Sequence, residues 1–208
     1  MSQDQLWEQG LKQLDCHLTE AQLSQLKQYV EMLNRWNKTY NLTAVREVED
    51  MIPLHIFDSL VVADFIKGDN CLDVGSGAGL PTIPLAIMQP DREFMAVDTN
   101  GKKTRFIQQA IIELGLKNTK VAQARIESWD SDIKYDAIIS RAFASVYDFL
   151  KGSSAPLAAN GILYAMKGQY PEAELQYIPK QYTLTQSHSM TVPFVDGERH
   201  LLEFTMSK

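Results

Sequence analysis

An α/β fold is predicted for most of this chain: a mostly parallel sheet with helices on both faces, preceded by a helical segment and closed by an antiparallel hairpin. Three observations carry that reading. The first third shows apolar spacing of the helical kind only, and from Asn70 short β-like runs alternate with helical stretches, as parallel sheets require. Near the end, two longer β-like runs, 182–192 and 200–206, flank Asp196-Gly197, a strong hairpin dipeptide.

The elements follow in order. Thr19-Glu-Ala-Gln22 has capping-box spacing, in which a hydroxyl and an amide three residues apart satisfy two orphan N–H groups. Leu23, Leu26, Val30 and Leu33 then recur at helical spacing to about Trp36, where a polar-aromatic stretch to Thr43 breaks the period. A further helix is predicted over 51–66, stopped by Lys67-Gly68. Strands are predicted at 71–74, 93–97, 120–124, 135–140 and 162–166, with helices at 80–88, 103–114 and 145–157 and a turn at Gly161. The length suits one domain with a small addition. Residues 1–67 are therefore expected to form an N-terminal helical extension and residues 68–208 one compact domain.

Composition excludes several classes. At 45% hydrophobic and 22% charged residues the chain is globular, neither disordered nor collagen-like. No apolar run approaches the roughly 20 residues of a membrane span, and the polar start MSQDQLWEQG resembles neither a secretory signal nor a transit peptide. Cys16 and Cys71 alone make no Cys-rich metal site or disulfide framework, and no His/Asp/Glu spacing suggests a metal, so a reducing cytoplasm is expected. A net charge of −6 argues against coating of nucleic acid. The charge is uneven, however: residues 98–127 carry six basic against three acidic groups and form the one net-positive block. That suits docking on a polyanion as well as an ordinary solvated helix face.

Ligands of open α/β sheets bind beyond the carboxyl ends of the strands. After the first strand stands Asp73-Val-Gly75-Ser-Gly77-Ala-Gly79-Leu80-Pro81. Alternate glycines permit positive φ and let a ligand approach the backbone. The spacing D-x-G-x-G-x-G departs from the dinucleotide fingerprint G-x-G-x-x-G, whose third glycine would fall on Leu80, and no P-loop is present. Asp98 ends the second strand, 23 residues after Gly75, where a carboxylate can accept hydrogen bonds from both hydroxyls of a ribose.

This constellation resembles class I S-adenosylmethionine-dependent methyltransferases, whose Rossmann-like, mostly parallel seven-stranded sheet also ends in an antiparallel hairpin. Further blocks narrow the resemblance: Asn41-Leu-Thr43, His55-Ile-Phe-Asp-Ser-Leu60, Ile139-Ser-Arg-Ala-Phe-Ala144, Met166-Lys-Gly168 and Asp196-Gly-Glu-Arg-His200. Together, over about 34–200, they resemble the glucose-inhibited division protein B family, which methylates N7 of a guanine in bacterial small-subunit (16S) ribosomal RNA. The resemblance implies S-adenosyl-L-methionine as cofactor, held by Gly75, Gly77, Gly79, Leu80, Asp98, Ile126, Glu127 and Arg141. Many members have glycine or proline where this chain has Ala78 and Thr82, so a stiffer or tilted loop is expected.

The chemistry is narrowed by what is missing. Methylation at a pyrimidine carbon needs a cysteine nucleophile, but Cys16 falls in the extension and Cys71 inside a strand. The N/D-P-P-Y/F loop of amine methyltransferases is replaced by Ser140-Arg-Ala-Phe143. Guanine N7 carries a lone pair and no proton, so no general base is expected. N7 and O6 form an acceptor edge that an arginine fork can hold, with Arg141, Lys167 and Arg199 as candidates for acceptor positioning or, equally, for structural ion pairs. Asn41, His55, Lys102, Lys103 and Arg105 are candidate RNA contacts, and Trp36, Tyr40 and Phe143 are either stacking platforms or core. Expected partners are ribosomal RNA or the small subunit, with the chain a monomer. A small-molecule methyltransferase and a non-catalytic S-adenosylmethionine-binding adaptor are the alternative readings.

Overall fold

The computed structural model describes every residue except Asp130, Ala142 and Lys208. Seven strands form one sheet in the order β3-β2-β1-β4-β5-β7-β6. β1 (Asn70–Val74), β2 (Glu93–Asp98), β3 (Thr119–Gln123), β4 (Tyr135–Ser140) and β5 (Leu157–Lys167) are parallel. β7 (Arg199–Met206) runs antiparallel between β5 and β6 (Tyr182–Met190). This is the predicted sheet. Alternation along each central strand explains why it is buried on both faces: Ala137 and Ile139 of β4 join one apolar cluster and Ile138 the other, as Tyr164 and Leu163 do on β5.

Helices α5 (Thr82–Met88), α6 (Gly101–Leu114) and α7 (Val146–Gly152) cover the sheet, and the short α8 (Glu172–Leu175) packs beside α7. The first third forms a further layer. α1 (Gln3–Gln13) and α2 (Glu20–Tyr40) both begin with capping boxes, the second on Thr19 and Gln22 as the spacing predicts. Leu26, Tyr29 and Leu33 of α2 share one buried cluster with Ile83 of α5 and with Phe106 and Ile107 of α6.

Three boundaries differ from expectation. The helix predicted to reach residue 66 begins as α3 (Val48–Met51), widens into a π-helical segment (Ile52–Phe57) and ends as α4 (Asp58–Leu60). Beyond Leu60 the chain turns so that Val62, Ala63 and Ile66 drop into the core, and the Tyr164 hydroxyl pins it there, accepting from Lys67 N–H and donating to Phe65 C=O, each at 3.1 Å. α7 stops at Gly152, because β5 already starts at Leu157 beside Tyr135. Gly161 is therefore no turn. It lies within β5 at a register shift, where a Cβ would stand 2.8 Å from the Tyr135 carbonyl oxygen. Among the described residues no helix is long and apolar enough to cross a membrane.

Candidate active site

The glycine loop leaves β1 and is tied down from three directions. Gly75 N–H donates to Val97 C=O at 2.8 Å, and Gly77 N–H donates to Asp98 Oδ2 at 2.8 Å. From the helical layer, the buried Tyr29 hydroxyl donates to Ala78 C=O at 2.6 Å. Gly75, Gly77 and Gly79 all take positive φ, at 74°, 59° and 87°, which explains the residue type at each position. Beneath the loop Asp73 is fully buried, and Thr82 donates its hydroxyl to Asp73 Oδ2 at 2.6 Å. Burial pushes the Asp73 carboxyl up to about 7, against that hydrogen bond. Thr82 thus ties the start of α5 to the end of β1 beneath the loop.

Two cavities flank Asp98. One, of about 260 Å³, lies between Gly75 and Asp98 on one side and Ile126, Glu127 and Phe143 on the other. The second, of about 430 Å³, runs over Gly75, Gly77 and Leu80 and is bounded by Thr43, Lys103 and Arg141. Asp98 itself is buried, and its Oδ1 accepts from Asn100 N–H at 2.8 Å. Each carboxylate oxygen therefore holds one backbone N–H and keeps a second acceptor direction.

On the far side of Arg141 lies a small cavity of about 80 Å³ bordered by Asp58, Lys167, Arg199 and His200. Arg141 Nη1 donates to Asp58 Oδ2 at 3.0 Å, and Arg199 Nε donates to Asp58 Oδ1 at 2.7 Å. Lys167 is 3.1 Å from Glu174 Oε2, whose other contact is the Val146 N–H at 2.6 Å. The π-helical segment adds a further hold, since Leu54 C=O accepts from Arg141 Nη1 at 3.3 Å. A wide π-turn loosens the helical ladder and leaves such carbonyls available to outside donors.

The structure brings Gly75, Gly77, Leu80, Asp98, Ile126, Glu127 and Arg141 to the two large cavities, with Gly79 buried behind them at the head of the loop. Arg141, Lys167 and Arg199 meet in the third cavity. The candidate RNA contacts scatter. Lys103 borders the second cavity, whereas Lys102, Arg105 and Asn41 are exposed outside the cavities. His55 is buried, with Nδ1 donating to Leu54 C=O at 3.0 Å and Nε2 accepting from the Thr43 hydroxyl at 2.9 Å. Burial, assisted by Arg141, pushes its imidazole down to about 4, so the ring is neutral and internally satisfied. Trp36 packs on Phe106, and Phe143 on Phe149. Within the block 139–144, Ala142 lies outside the described residues. Sequence reasoning did not single out Asp58, Thr43 or Tyr29. The first two stand inside blocks quoted for the family resemblance, which was the available signal.

Known proteins resemble this chain in sequence and in fold. The family model for the rRNA small subunit methyltransferase G, GidB, matches residues 22–202. The chain is 46% identical over 194 residues to the ribosomal RNA small subunit methyltransferase G of Aeromonas hydrophila, covering 93% of this chain and 91% of the relative. It is 44% identical to that of Psychromonas ingrahamii, covering 93% of each. Among solved structures, M. capricolum TrmK in complex with S-adenosyl-homocysteine superposes with a TM-score of 0.59 at 16% identity, covering 74% of this chain and 70% of that one. A ribosomal protein L11 methylase from Lactobacillus delbrueckii gives 0.57 at 16% identity, covering 73% and 77%. These two share the fold.

Proposed function

The chain belongs to the rRNA small subunit methyltransferase G family, and on that premise we propose that it methylates N7 of a guanine in bacterial small-subunit (16S) ribosomal RNA, using S-adenosylmethionine. The observation that carries this reading is the position of Arg141. It alone among the described residues borders both the Asp98 cleft and the cationic pocket, where a methyl donor and an acceptor would meet.

The residues fit the cofactor. A Cβ at Gly77 would meet nothing closer than the Gly75 oxygen at 4.0 Å and would fill the cavity instead, so the missing side chain is the cradle. The free acceptor directions of Asp98 suit two vicinal ribose hydroxyls, Ile126 and Phe143 offer apolar walls to a base, and Glu127 stands at the rim for an amino group. When bound, S-adenosylmethionine supplies an electrophilic methyl group on a sulfonium. The chain then has to bind and aim. The N7 lone pair must face the methyl group, which leaves O6 as the atom for an arginine fork to hold. Alignment of this kind can supply about 7–11 kcal/mol of barrier lowering. No proton leaves N7, and the buried neutral His55, with both ring nitrogens engaged, has none to take.

We keep the division expected from sequence: residues 1–67 as the N-terminal helical extension and residues 68–208 as the S-adenosylmethionine-binding methyltransferase domain. Residues of one chain line both pockets, which fits action as a monomer, and a ribosomal substrate supports a cytoplasmic location. The acceptor is RNA or the small subunit, and no metal enters the proposed step. The test is single-turnover transfer from labelled cofactor to unmodified small subunits or their protein-free RNA, with nucleosides identified by chromatography. Label is expected in 7-methylguanosine, at a rate nearly flat between about pH 6.5 and 9. A base-dependent reaction would rise tenfold per unit below its pKa. Label on an amine or hydroxyl would refute the assignment.

A further inference from the structure

We propose that Asp58 is a positioning residue for the transfer, holding the guanidiniums of Arg141 and Arg199 against one carboxylate at the junction of the cofactor cleft and the acceptor pocket. The inference rests on the reading that these arginines face the acceptor.

The geometry is specific to this purpose. Arg141 follows β4 and Arg199 opens β7, separated from Asp58 by 83 and 141 residues, yet each takes one oxygen of the same carboxylate. The Asp58 side chain is 6% exposed, whereas those of Arg141 and Arg199 are 26% and 24% exposed. The anion is hidden and the cations are presented. A guanidinium has five N–H donors in a rigid fork, so fixing one edge on Asp58 fixes where the remaining edge points. Asp58 stands at the first position after the π-helical segment, and Leu54 C=O of that segment takes a second bond from Arg141, so the aim of the fork is set from two points of one wide turn.

Charge gives the carboxylate a second role. In the step the N7 lone pair forms the new N–C bond, the C–S bonding pair returns to sulfur, and positive charge moves onto the base with no proton transferred. Two guanidiniums without a counter-ion would oppose that charge. Asp58 compensates one of them where the charge arrives, an effect felt in the transition state more than in the ground state.

The test compares Asp58→Asn with Arg141→Ala and Arg199→Ala, each assayed by single turnover on unmodified small subunits, by calorimetric cofactor affinity and by thermal melting. For Asp58→Asn we expect a rate lowered by about 30-fold or more, since a misplacement of about 1 Å can cost on the order of a hundredfold. KM for subunits and Kd for cofactor are expected to change by less than about threefold. A merely fold-holding carboxylate would instead lower the melting temperature and leave the rate of the folded enzyme intact, which overturns the proposal. If both arginine variants are slow and Asp58→Asn is not, Asp58 has no positioning role and the acceptor reading stands. If the arginine variants keep full rate, both fail. Should Asp58→Asn not fold, Asp58→Glu keeps the charge and displaces both forks by about one methylene. A drop of about fivefold or more is then expected, and an unchanged rate overturns the proposal.

Discussion

The two sides proposed for this site, one for the cofactor around Asp98 and one for the acceptor around Asp58, are built by different means. Around Asp98 the partners are backbone groups: Gly77 N–H and Asn100 N–H on the carboxylate, and Gly75 N–H on Val97 C=O. Around Asp58 they are long cationic side chains from two strand ends distant in sequence, Arg141 after β4 and Arg199 at the start of β7. A backbone cradle is pre-organised by the strands that carry it and tolerates most changes of side chain. An ion-paired cluster depends on every member, because removing one partner leaves a buried charge uncompensated.

The largest expected effect lies on the acceptor side. At saturating cofactor, Arg141→Ala should lower the single-turnover rate by about 10²–10³-fold, the scale for loss of one pre-organised donor, with a smaller loss of cofactor affinity because Arg141 also borders the Asp98 cleft. A large loss of cofactor affinity would instead assign Arg141 to the cofactor side and blur the contrast.

The next lies in His55, buried against Thr43 and close to Arg141. Burial holds its imidazole down at about 4, below the ordinary 6.5. The unfolded chain therefore takes up a proton that the folded chain refuses. His55 stabilises the fold fully above pH 6.5, and that contribution is lost as pH falls from 6.5 toward 4, by about 2–3 kcal/mol at pH 4.5. Asp73, raised to about 7, works with the opposite sign: its cost to the folded state disappears as pH falls from 7 toward 3.8. Urea unfolding at pH 7 and 4.5 should thus show a shallower acid loss in His55→Gln than in the wild type. Equal losses would mean that the imidazole is not buried neutral.

On the cofactor side, Asp98→Ala strands the ribose hydroxyls and Gly77 N–H, for a loss of about 1–3 kcal/mol in cofactor binding. Calorimetry checks it, with the transfer rate at saturating cofactor kept within about threefold. Smallest is the outer basic face. Lys102→Ala with Arg105→Ala should weaken RNA binding a few-fold and reduce the salt slope by about one to two, with cofactor affinity unchanged. Lys103 is left in place because it borders the cleft.

The same contrast governs what could be read from sequence. The cofactor side is local: three alternate glycines and an acid one strand later announce a ligand before any tertiary contact is known, and the structure sets Gly75, Gly77 and Asp98 on two cavities with Gly79 behind them. The sheet, including its closing hairpin, was legible for a similar reason, since alternation and turn residues are short-range signals. Asp58 was not singled out, because its meaning lies in Arg141 and Arg199, and an isolated Asp in a helical run reads as a solvated face. The reverse holds for His55, whose place in a family-like block suits an RNA contact and a satisfied seam histidine equally; burial and two internal hydrogen bonds favour the second. The π-helical widening and the strand position of Gly161 escaped because both are set by packing, against the arginine in one case and against the Tyr135 carbonyl in the other.

The strand order β5-β7-β6 has a consequence for the chain as it is made. β6 is synthesised before β7 yet lies outside it, so while residues 199–206 are missing β6 has no neighbour in the sheet to join. Arg199 opens that late strand. The glycine loop, β2 and the Asp98 cleft draw on residues that precede β7, whereas Asp58 has its second arginine only once β7 is in place. Closure of the sheet and completion of the guanidinium pair therefore depend on the same strand, the last one in the chain.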